Sequence, residues 1–332
     1  MMRPSRLALS LAIVLASAVR AIAQTDALER GRTLAEAFVA GDTDLVWDAM
    51  TPAMRAAVGT GPADLAAFRD AVARDFGTET EFIGEELASV ADGVTVYNRT
   101  SRWSAVTPPI LIQIGLDAGG GVATFLVQPL PTLAESRFLD YQTQADLRLP
   151  FDGEWFVYWG GRTLERNYHA ADRAQRFATD LLVVRDGVTY AGDPARLESY
   201  FCWDQPILAP AAGTVVAAVD SFADNPIGQT DVANPTGNHV VLDLGNGEFA
   251  FLAHLQSGSV AVAPGDVVGP GDVLGRCGNS GNTSEPHLHV HLQTTPDLAT
   301  GEGLPAMFQN YVADGEPVAR GEPEQGQLVA PG

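Results

Sequence analysis

Residues 285–292, EPHLHVHL, contain three histidines at alternate positions: His287, His289 and His291. In a β-strand, alternate side chains project from the same face, and neighbours on that face lie about 7 Å apart. Imidazoles fill a core poorly, since every buried ring nitrogen needs a polar partner. The spacing therefore predicts a strand whose histidines serve a metal or a reaction centre.

Two residues upstream of this strand have the chemistry to complete a metal site. The segment NYHAADRAQRFATDLLVV contains His169 in a polar turn and Asp180 where a β-branched, apolar run begins. A catalytic zinc ion typically has three protein ligands, drawn from His and carboxylate side chains, and an open position for water. One histidine of the strand, together with His169 and Asp180, would provide such a set.

The sequence around these residues is typical of antiparallel β-structure. Short apolar runs alternate with Gly, Pro and Asn, as in PILAPAAGTVVAAV, GNHVVLDLG and EFAFLAHL. Such spacing predicts a β-sandwich or open barrel over residues 167–295. In GNSGNTSEPH, Gly278 and Gly281 are expected to allow turns with positive φ before the histidine strand.

Several motifs in this region resemble, in order, those of the zinc peptidases typified by lysostaphin and LytM. They are N-x-H…QRFA-x-D, PILAPAAGTVV, GNHVVLDLGNGEFAFLAHL and GDVLGRCGNSGNTSEPHLHVHL. The resemblance covers roughly residues 160–295 and implies a LytM-like peptidase domain. It also implies that one zinc ion is bound by His169, Asp180 and His289.

The same resemblance implies catalytic roles for His254 and His287, which in the family stand beside the metal without binding it. One of the two would take a proton from water and the other would stabilise the oxyanion; His287 is the favoured base. The expected activity is hydrolysis of peptide cross-links in peptidoglycan. The alternatives are a non-catalytic regulator of cell-wall hydrolases and a peptidase that acts on secreted proteins or peptides.

The sequence departs from the common family pattern in its ligand spacing. Much of the family has H-x-x-x-D, but the residue four positions after His169 is Arg173. Asp180 lies in the A-x-D-hydrophobic context of a longer variant and is preferred over Asp172. His291 either orients the metal ligands by hydrogen bonding, without contacting the metal itself, or is a surface residue. His239 is expected to be structural.

Outside the peptidase region, the sequence predicts further segments. Two segments with a helical pattern, ALERGRTLAEAFVAG and PADLAAFRDAVARDFG, are followed by segments in which apolar and polar residues alternate as in strands. Residues 24–130 are therefore expected to form an accessory α+β domain. Residues 131–166 are expected to be connecting strands, in which Trp155, Val157 and Trp159 share one face that packs a core, the alternative being that their rings line a groove. Residues 296–332, rich in Pro, Gly and acid, are expected to form an extended tail.

Composition and the first residues bear on location and partners. Residues 1–23 combine basic residues, an apolar run and small residues, which predicts a cleaved signal peptide and a periplasmic or extracellular protein without stable membrane insertion. The net charge of −21 makes nucleic acid an unsuitable partner.

Cys202 and Cys277 are the two cysteines of the chain. An oxidising environment would allow them to form a disulfide, and the alternative is a pair of buried thiols.

Overall fold

The computed structural model describes residues 26–89 and 94–332. The signal peptide predicted over residues 1–23 lies outside this part of the chain. The chain divides into two compact units, residues 1–131 and 132–332. Within the described ranges, no helix is both long and apolar enough to cross a bilayer.

The described part of the amino-terminal unit has helices followed by a sheet, as the sequence predicts. The helices are α1 (described over 26–40), α2 (Thr43–Ala49), α3 (Pro52–Val58) and α4 (Pro62–Phe76). The strands are β1 (Glu79–Ser89), β2 (Thr95–Trp103), β3 (Ile110–Leu116) and β4 (Val122–Pro129). They form an antiparallel sheet in the order β1-β2-β3-β4. Ile110, Ile112 and Ile114 alternate along β3 and fill the core beneath it.

The carboxy-terminal unit, described throughout, is built mainly from antiparallel strands. They are β5 (Trp155–Trp159), β6 (Thr179–Leu182), β7 (Pro206–Leu208), β8 (Gly213–Val219), β9 (Asn238–Asp243), β10 (Phe249–Leu255), β11 (Val267–Val268), β12 (Val273–Arg276), β13 (Leu288–Gln293), β14 (Gly303–Leu304), β15 (Phe308–Ala313), β16 (Glu316–Gly321) and β17 (Leu328–Pro331). The main sheet has the order β11-β8-β9-β10-β13-β6-β5-β17-β15-β16, with β14 beside β13; β7 pairs with β12 separately. The histidine strand, β13, therefore lies near the middle of the sheet.

The expectation of an extended tail over residues 296–332 is corrected by the structure. Strands β15, β16 and β17 lie within this segment, and β17 pairs with β5. Phe308 and Val329 are buried in the same core as Trp155. The segment is part of the sheet because its buried apolar residues join this core and β17 hydrogen-bonds to the edge that β5 would otherwise expose.

Two glycines before the histidine strand are required for different reasons. Gly281 has a φ of 90°, as expected for a tight turn. Gly278 does not have a positive φ, contrary to expectation. Its Cα instead packs on the backbone of Gln256, where a Cβ would come within 2.2 Å. A close approach of two backbones, rather than a turn, therefore requires glycine at position 278.

Cys202 and Cys277 form a disulfide, with their Cα atoms 5.9 Å apart and 75 residues between them in sequence. Cross-linking a loop of this length stabilises a protein by about 2–4 kcal/mol, chiefly through the unfolded state. We expect the double variant Cys202→Ser/Cys277→Ser to lose this amount in urea unfolding. Dithiothreitol should produce the same loss in the parent protein and none in the variant. Equal midpoints for parent and variant would contradict the prediction.

Glu302 is a second stability determinant of this unit. Its side chain is 3% exposed and accepts hydrogen bonds from the backbone and guanidinium of Arg137 and from Arg173. Burial opposes ionisation, but the bonds from Arg173 and Arg137 outweigh it and lower the pKa of Glu302 to about 2.

We expect Glu302→Gln to lower the free energy of unfolding at pH 7 by about 1–3 kcal/mol. A carboxylate with a lowered pKa stabilises the fold above its unfolded value of 4.5, and this contribution is lost as the pH falls toward 2. The difference between parent and variant should therefore shrink between pH 4.5 and 2 in urea titrations. A difference that does not change with pH would show that the ion pairs are not its source.

Candidate metal centre and active site

Three buried side chains, His169, Asp180 and His289, meet at the middle of the sheet. The Nε2 atom of His169 lies 3.0 Å from Oδ2 of Asp180, and Nδ1 of His289 lies 2.8 Å from Oδ1 of the same carboxylate. One candidate ligand atom from each residue lies within 4.8 Å of the other two. The structure therefore brings together the three residues that the family resemblance implies as metal ligands.

This group has the composition and spacing that a zinc ion requires. Two imidazole nitrogens and one carboxylate oxygen are a common ligand set for catalytic zinc. Tetrahedral ligands about 2.1 Å from a metal lie roughly 3.4 Å from one another. The observed separations of 2.8 and 3.0 Å are smaller by a few tenths of an ångström, so a small outward movement of the side chains would admit the ion.

Strand register brings Asp180 to His289, although 109 residues separate them in sequence. Asp180 on β6 pairs directly with His289 on β13, and directly paired residues on neighbouring strands point to the same face. His169 comes from the short 3₁₀ turn Tyr168–Ala171. The buried side chain of Asn167 caps this turn and also donates to the carbonyl of Ala178, just before β6. The turn is thereby held against the strand that carries Asp180.

His254 reaches the site through an irregularity at the end of β10. The pairing of β10 with β9 shifts between Leu252 and Leu255, and His254 has a φ of 63°. This left-handed conformation is uncommon for a residue with a side chain and costs on the order of 1–3 kcal/mol. The ring lies 4.7 Å from that of His287 and 5.7 Å from that of His289, centroid to centroid. The strained backbone conformation therefore lies at the end of β10, at the candidate catalytic residue His254.

His254 and His287 are anchored in the same way. Nδ1 of His254 donates to the carbonyl of Ser280 at 2.9 Å, and Nδ1 of His287 donates to the carbonyl of Glu285 at 2.9 Å. Because a carbonyl can only accept, both rings carry their proton on Nδ1 when neutral. Each Nε2 atom then has a free electron pair. Nε2 of His287 lies 3.7 Å from Oδ2 of Asp180.

The electrostatics of the site favour an ionised Asp180 and neutral His254 and His289. Burial opposes ionisation of Asp180, but the neighbouring imidazoles of His169 and His287, and the close contacts of His169 and His289 with its oxygens, outweigh it and hold its pKa well below the usual range. Burial lowers the pKa of His254 well below the usual value, and the nearby His287 and His289 add to this. Burial also lowers the pKa of His289. Deprotonated groups of this kind are the forms that bind metals.

The remaining residues singled out from the sequence lie at different distances from this centre. His291 is 1% exposed and lies beside His289, so the surface alternative for it is wrong. Asp172 is exposed and caps a turn by accepting from the backbone of Ala174 and Gln175. His239 is half-buried and bonds through Nδ1 to the carbonyl of Gly237, away from the metal group.

Two cavities border the three candidate ligands. One, of about 710 Å³, borders His169, His254 and His289. The other, of about 290 Å³, borders Asp180 and His287. Tyr168 and Asn282 line both cavities, which therefore adjoin each other at the candidate metal centre.

Sequence reasoning missed two aromatic residues of the second cavity, Tyr158 and Tyr168, and favoured a core over a groove for a third, Trp159. The two tyrosines are 47% and 48% exposed. Trp159 was expected in the core, but the pairing of β5 with β6 shifts between Val157 and Trp159, and its side chain is half-buried at the cavity. The sequence does show adjacent aromatic residues, Tyr158 and Trp159, and a tyrosine next to His169. It does not show the bulge in β5, which is what directs Trp159 to the cavity.

A family model described as peptidase family M23 matches residues 201–300. This range includes His254, His287 and His289, while His169 and Asp180 precede it. The endolysin 2638A of Staphylococcus phage 2638A is 26% identical over 163 residues, which is 48% of this chain and 28% of the endolysin. The chain therefore matches less than a third of the length of that relative.

Among solved structures, the catalytic domain of lysostaphin from Staphylococcus simulans has 18% identity and a TM-score of 0.27, covering 46% of this chain and 88% of that one. A zinc-containing peptidase from Vibrio cholerae has 13% identity and a TM-score of 0.29, covering 69% and 56%. The family model and the ordered motifs agree: residues 201–300 match peptidase family M23, and the motifs of residues 160–295 are similar to those of its lysostaphin/LytM type.

Proposed function

We propose that this protein is an exported zinc endopeptidase that hydrolyses peptide cross-links of peptidoglycan. The observation that carries the proposal is the set His169, Asp180 and His289, whose ligand atoms lie within 4.8 Å of one another beside two further histidines. Members of this family that only regulate other hydrolases have lost ligands, and this chain retains all of them. The regulatory alternative is therefore not favoured.

His169, Asp180 and His289 would hold the zinc ion. When bound, zinc supplies Lewis acidity, which polarises a peptide carbonyl and lowers the pKa of water toward neutrality. Peptide hydrolysis also needs a group that accepts a proton from the attacking water and returns one to the leaving amine. His254 and His287 both offer an Nε2 electron pair for this purpose, since Nδ1 of each is committed to a backbone carbonyl.

We assign the role of general base to His287. Its Nε2 atom lies 3.7 Å from the Asp180 carboxylate, which stabilises the imidazolium that forms when the proton is taken. His254 has a strongly lowered pKa, so its ring stays neutral and accepts protons weakly. In its Nδ1–H tautomer, His254 accepts a hydrogen bond at Nε2 and orients water or a substrate N–H. It donates to an oxyanion only after it takes up a proton.

The two cavities support internal cleavage of an extended peptide. They share Tyr168 and Asn282 and together border all three candidate ligands, so an extended peptide chain can pass from one cavity into the other across the reacting centre. The acidic protein has no electrostatic attraction to anionic wall polymers, and recognition is therefore assigned to contacts within the cleft. Cleavage of secreted proteins or peptides is the second candidate function, because the same cleft accommodates any extended chain.

Export is supported by the signal-like residues 1–23 and by the Cys202–Cys277 disulfide, since such bonds persist in oxidising compartments. We propose a periplasmic or extracellular location. This location is tested by fractionating the producing cell, detecting the protein with an antibody and determining by mass spectrometry the residue at which it begins. A protein found in the cytoplasm with residues 1–23 still attached would contradict the proposal.

The substrate is tested by incubating the zinc-loaded protein, without residues 1–23, with sacculi of several cross-link types. We expect release of muropeptides whose masses identify the cleaved bond. The Asp180→Asn variant serves as the inactive control. Protein that retains zinc yet releases nothing from any wall, while cleaving denatured secreted proteins, would overturn the peptidoglycan assignment in favour of the second candidate.

A further inference from the structure

Strand β13 carries a continuous chain of buried polar side chains that leads away from the candidate metal centre. Nε2 of His289 lies 2.9 Å from Nδ1 of His291, and Nε2 of His291 lies 3.2 Å from Oε1 of Gln293. The Nε2 atom of Gln293 donates in turn to the carbonyl of Thr295 at 2.7 Å. The three side chains share one face because they alternate along the strand, and none is more than 3% exposed.

The direction of every hydrogen bond in this chain follows from its last member. The carbonyl of Thr295 can only accept, so the Gln293 amide must present its NH₂ group to it and its oxygen to His291. His291 must then donate from Nε2, which leaves an electron pair on its Nδ1. That electron pair accepts from Nε2 of His289.

The far end of the chain is the candidate ligand atom. With its proton on Nε2, neutral His289 has an electron pair on Nδ1, which faces Oδ1 of Asp180 across 2.8 Å. Two electron pairs at this separation repel unless a cation lies between them. The backbone carbonyl of Thr295, six residues after His289, thus determines through two side chains that the cation-binding nitrogen of His289 is Nδ1.

Packing holds the chain in this arrangement. The ring of Phe251 stacks on that of His291, with centroids 4.6 Å apart and planes 14° from parallel. Gly301 lies over the Gln293 amide, where a Cβ would come within 2.5 Å of its Cδ atom. Both the imidazole and the amide are therefore restricted to the orientation in which the hydrogen bonds form.

We propose that Gln293, acting through His291, is a positioning residue that fixes the tautomer and orientation of the metal ligand His289. The proposal rests on the zinc site of the proposed function. Partners of this kind typically contribute 10–100-fold to metal affinity. Neither Gln293 nor His291 needs to contact zinc or substrate for this effect.

The test compares Gln293→Met with a matched pair of variants at His291. Gln293→Met removes both the acceptor for His291 and the donor to Thr295 at similar volume. His291→Leu removes the acceptor for His289, whereas the Oδ1 atom of Asn in His291→Asn can take the place of the imidazole Nδ1. Zinc affinity is measured by competition with a chromophoric chelator, and ¹⁵N spectra of labelled histidine report which nitrogen of His289 is protonated and which is metal-bound.

We expect Gln293→Met and His291→Leu to weaken zinc binding about 10–100-fold, and His291→Asn to recover most of the loss seen in His291→Leu. In the parent, the ¹⁵N spectrum should show zinc on Nδ1 of His289 and a proton on Nε2; in Gln293→Met this pattern should be mixed. A Gln293→Met protein with parental zinc affinity and an unchanged His289 spectrum would overturn the proposal, as would a His291→Asn protein that binds zinc as weakly as His291→Leu.

These measurements are separate from the test of the proposed function. A parent protein that binds zinc but cleaves no wall peptide contradicts the peptidoglycan assignment, while the affinity ratio between parent and Gln293→Met still decides the role of Gln293. Unfolding curves of the zinc-free proteins show whether a variant has lost its fold. If Gln293→Met does not fold, the comparison of His291→Leu with His291→Asn gives the same answer.

Discussion

Asp180→Asn is expected to abolish zinc retention and, with it, peptidase activity. Asp180 contacts two candidate ligand histidines, at 3.0 and 2.8 Å, and contributes the single negative charge of the set. An amide is nearly the same size but neutral, so it can neither balance the cation nor bind it comparably. Loss of a residue that only hydrogen-bonds to a metal ligand already lowers metal affinity about 10–100-fold. Loss of the ligand Asp180 itself should therefore lower zinc affinity more than about 100-fold. Zinc content after dialysis, measured by atomic emission, checks this.

Asp172→Asn is the matched control for this experiment. Asp172 is eight positions earlier, is exposed, and caps a turn rather than joining the buried group. We expect this variant to retain zinc and activity. If Asp172→Asn loses zinc and Asp180→Asn keeps it, the ligand assignment is wrong.

His287→Ala is expected to retain zinc but to lower kcat by about 10²–10⁴-fold, the usual contribution of a general base. The ring is not part of the ligand group, yet its Nε2 electron pair is free and lies near the Asp180 carboxylate. Steady-state kinetics on a cross-linked muropeptide, with zinc content measured in the same samples, separates loss of chemistry from loss of metal.

Two other histidine variants sharpen this prediction. His239→Ala removes a half-buried imidazole outside the metal group and should leave kcat unchanged. His254→Ala should also lower kcat with zinc retained, and combining it with His287→Ala should cost less than the product of the two single effects if both act on one proton transfer. Full activity in His287→Ala, with a large loss in His254→Ala, would transfer the role of base to His254.

The local features of the site could be predicted from the sequence because they depend on short-range periodicity. The alternation in HLHVHL predicts a strand with one polar face, and β13 spans Leu288–Gln293 with that face toward the candidate metal centre. The helix-then-strand order of the amino-terminal domain is likewise a matter of local pattern. The order of motifs was sufficient to recognise the peptidase family.

Other features depend on contacts between distant segments. The A-x-D-hydrophobic context favoured Asp180 over Asp172, but the direct pairing of Asp180 with His289 depends on the register of β6 against β13, which nothing within either segment specifies. The burial of His291 depends on Phe251, which lies 40 residues earlier on the neighbouring strand. Strands β15, β16 and β17 pair with one another, but they join the main sheet through the pairing of β17 with β5.

What the sequence by itself determined is the chemistry available: the family, the histidine strand and the identities of the candidate ligands. The tertiary structure alone decided which atoms face one another. The bulges at His254 and Trp159 turn one ring into the site and another into the cleft, and the carbonyl of Thr295 sets the tautomer of His289. The physical reason is that side-chain periodicity is a local property of the backbone, whereas strand register and bulges are settled by pairing with segments far apart in sequence. Hydrogen-bond direction depends on which polar atoms meet once the strand is folded, even where they are close in sequence.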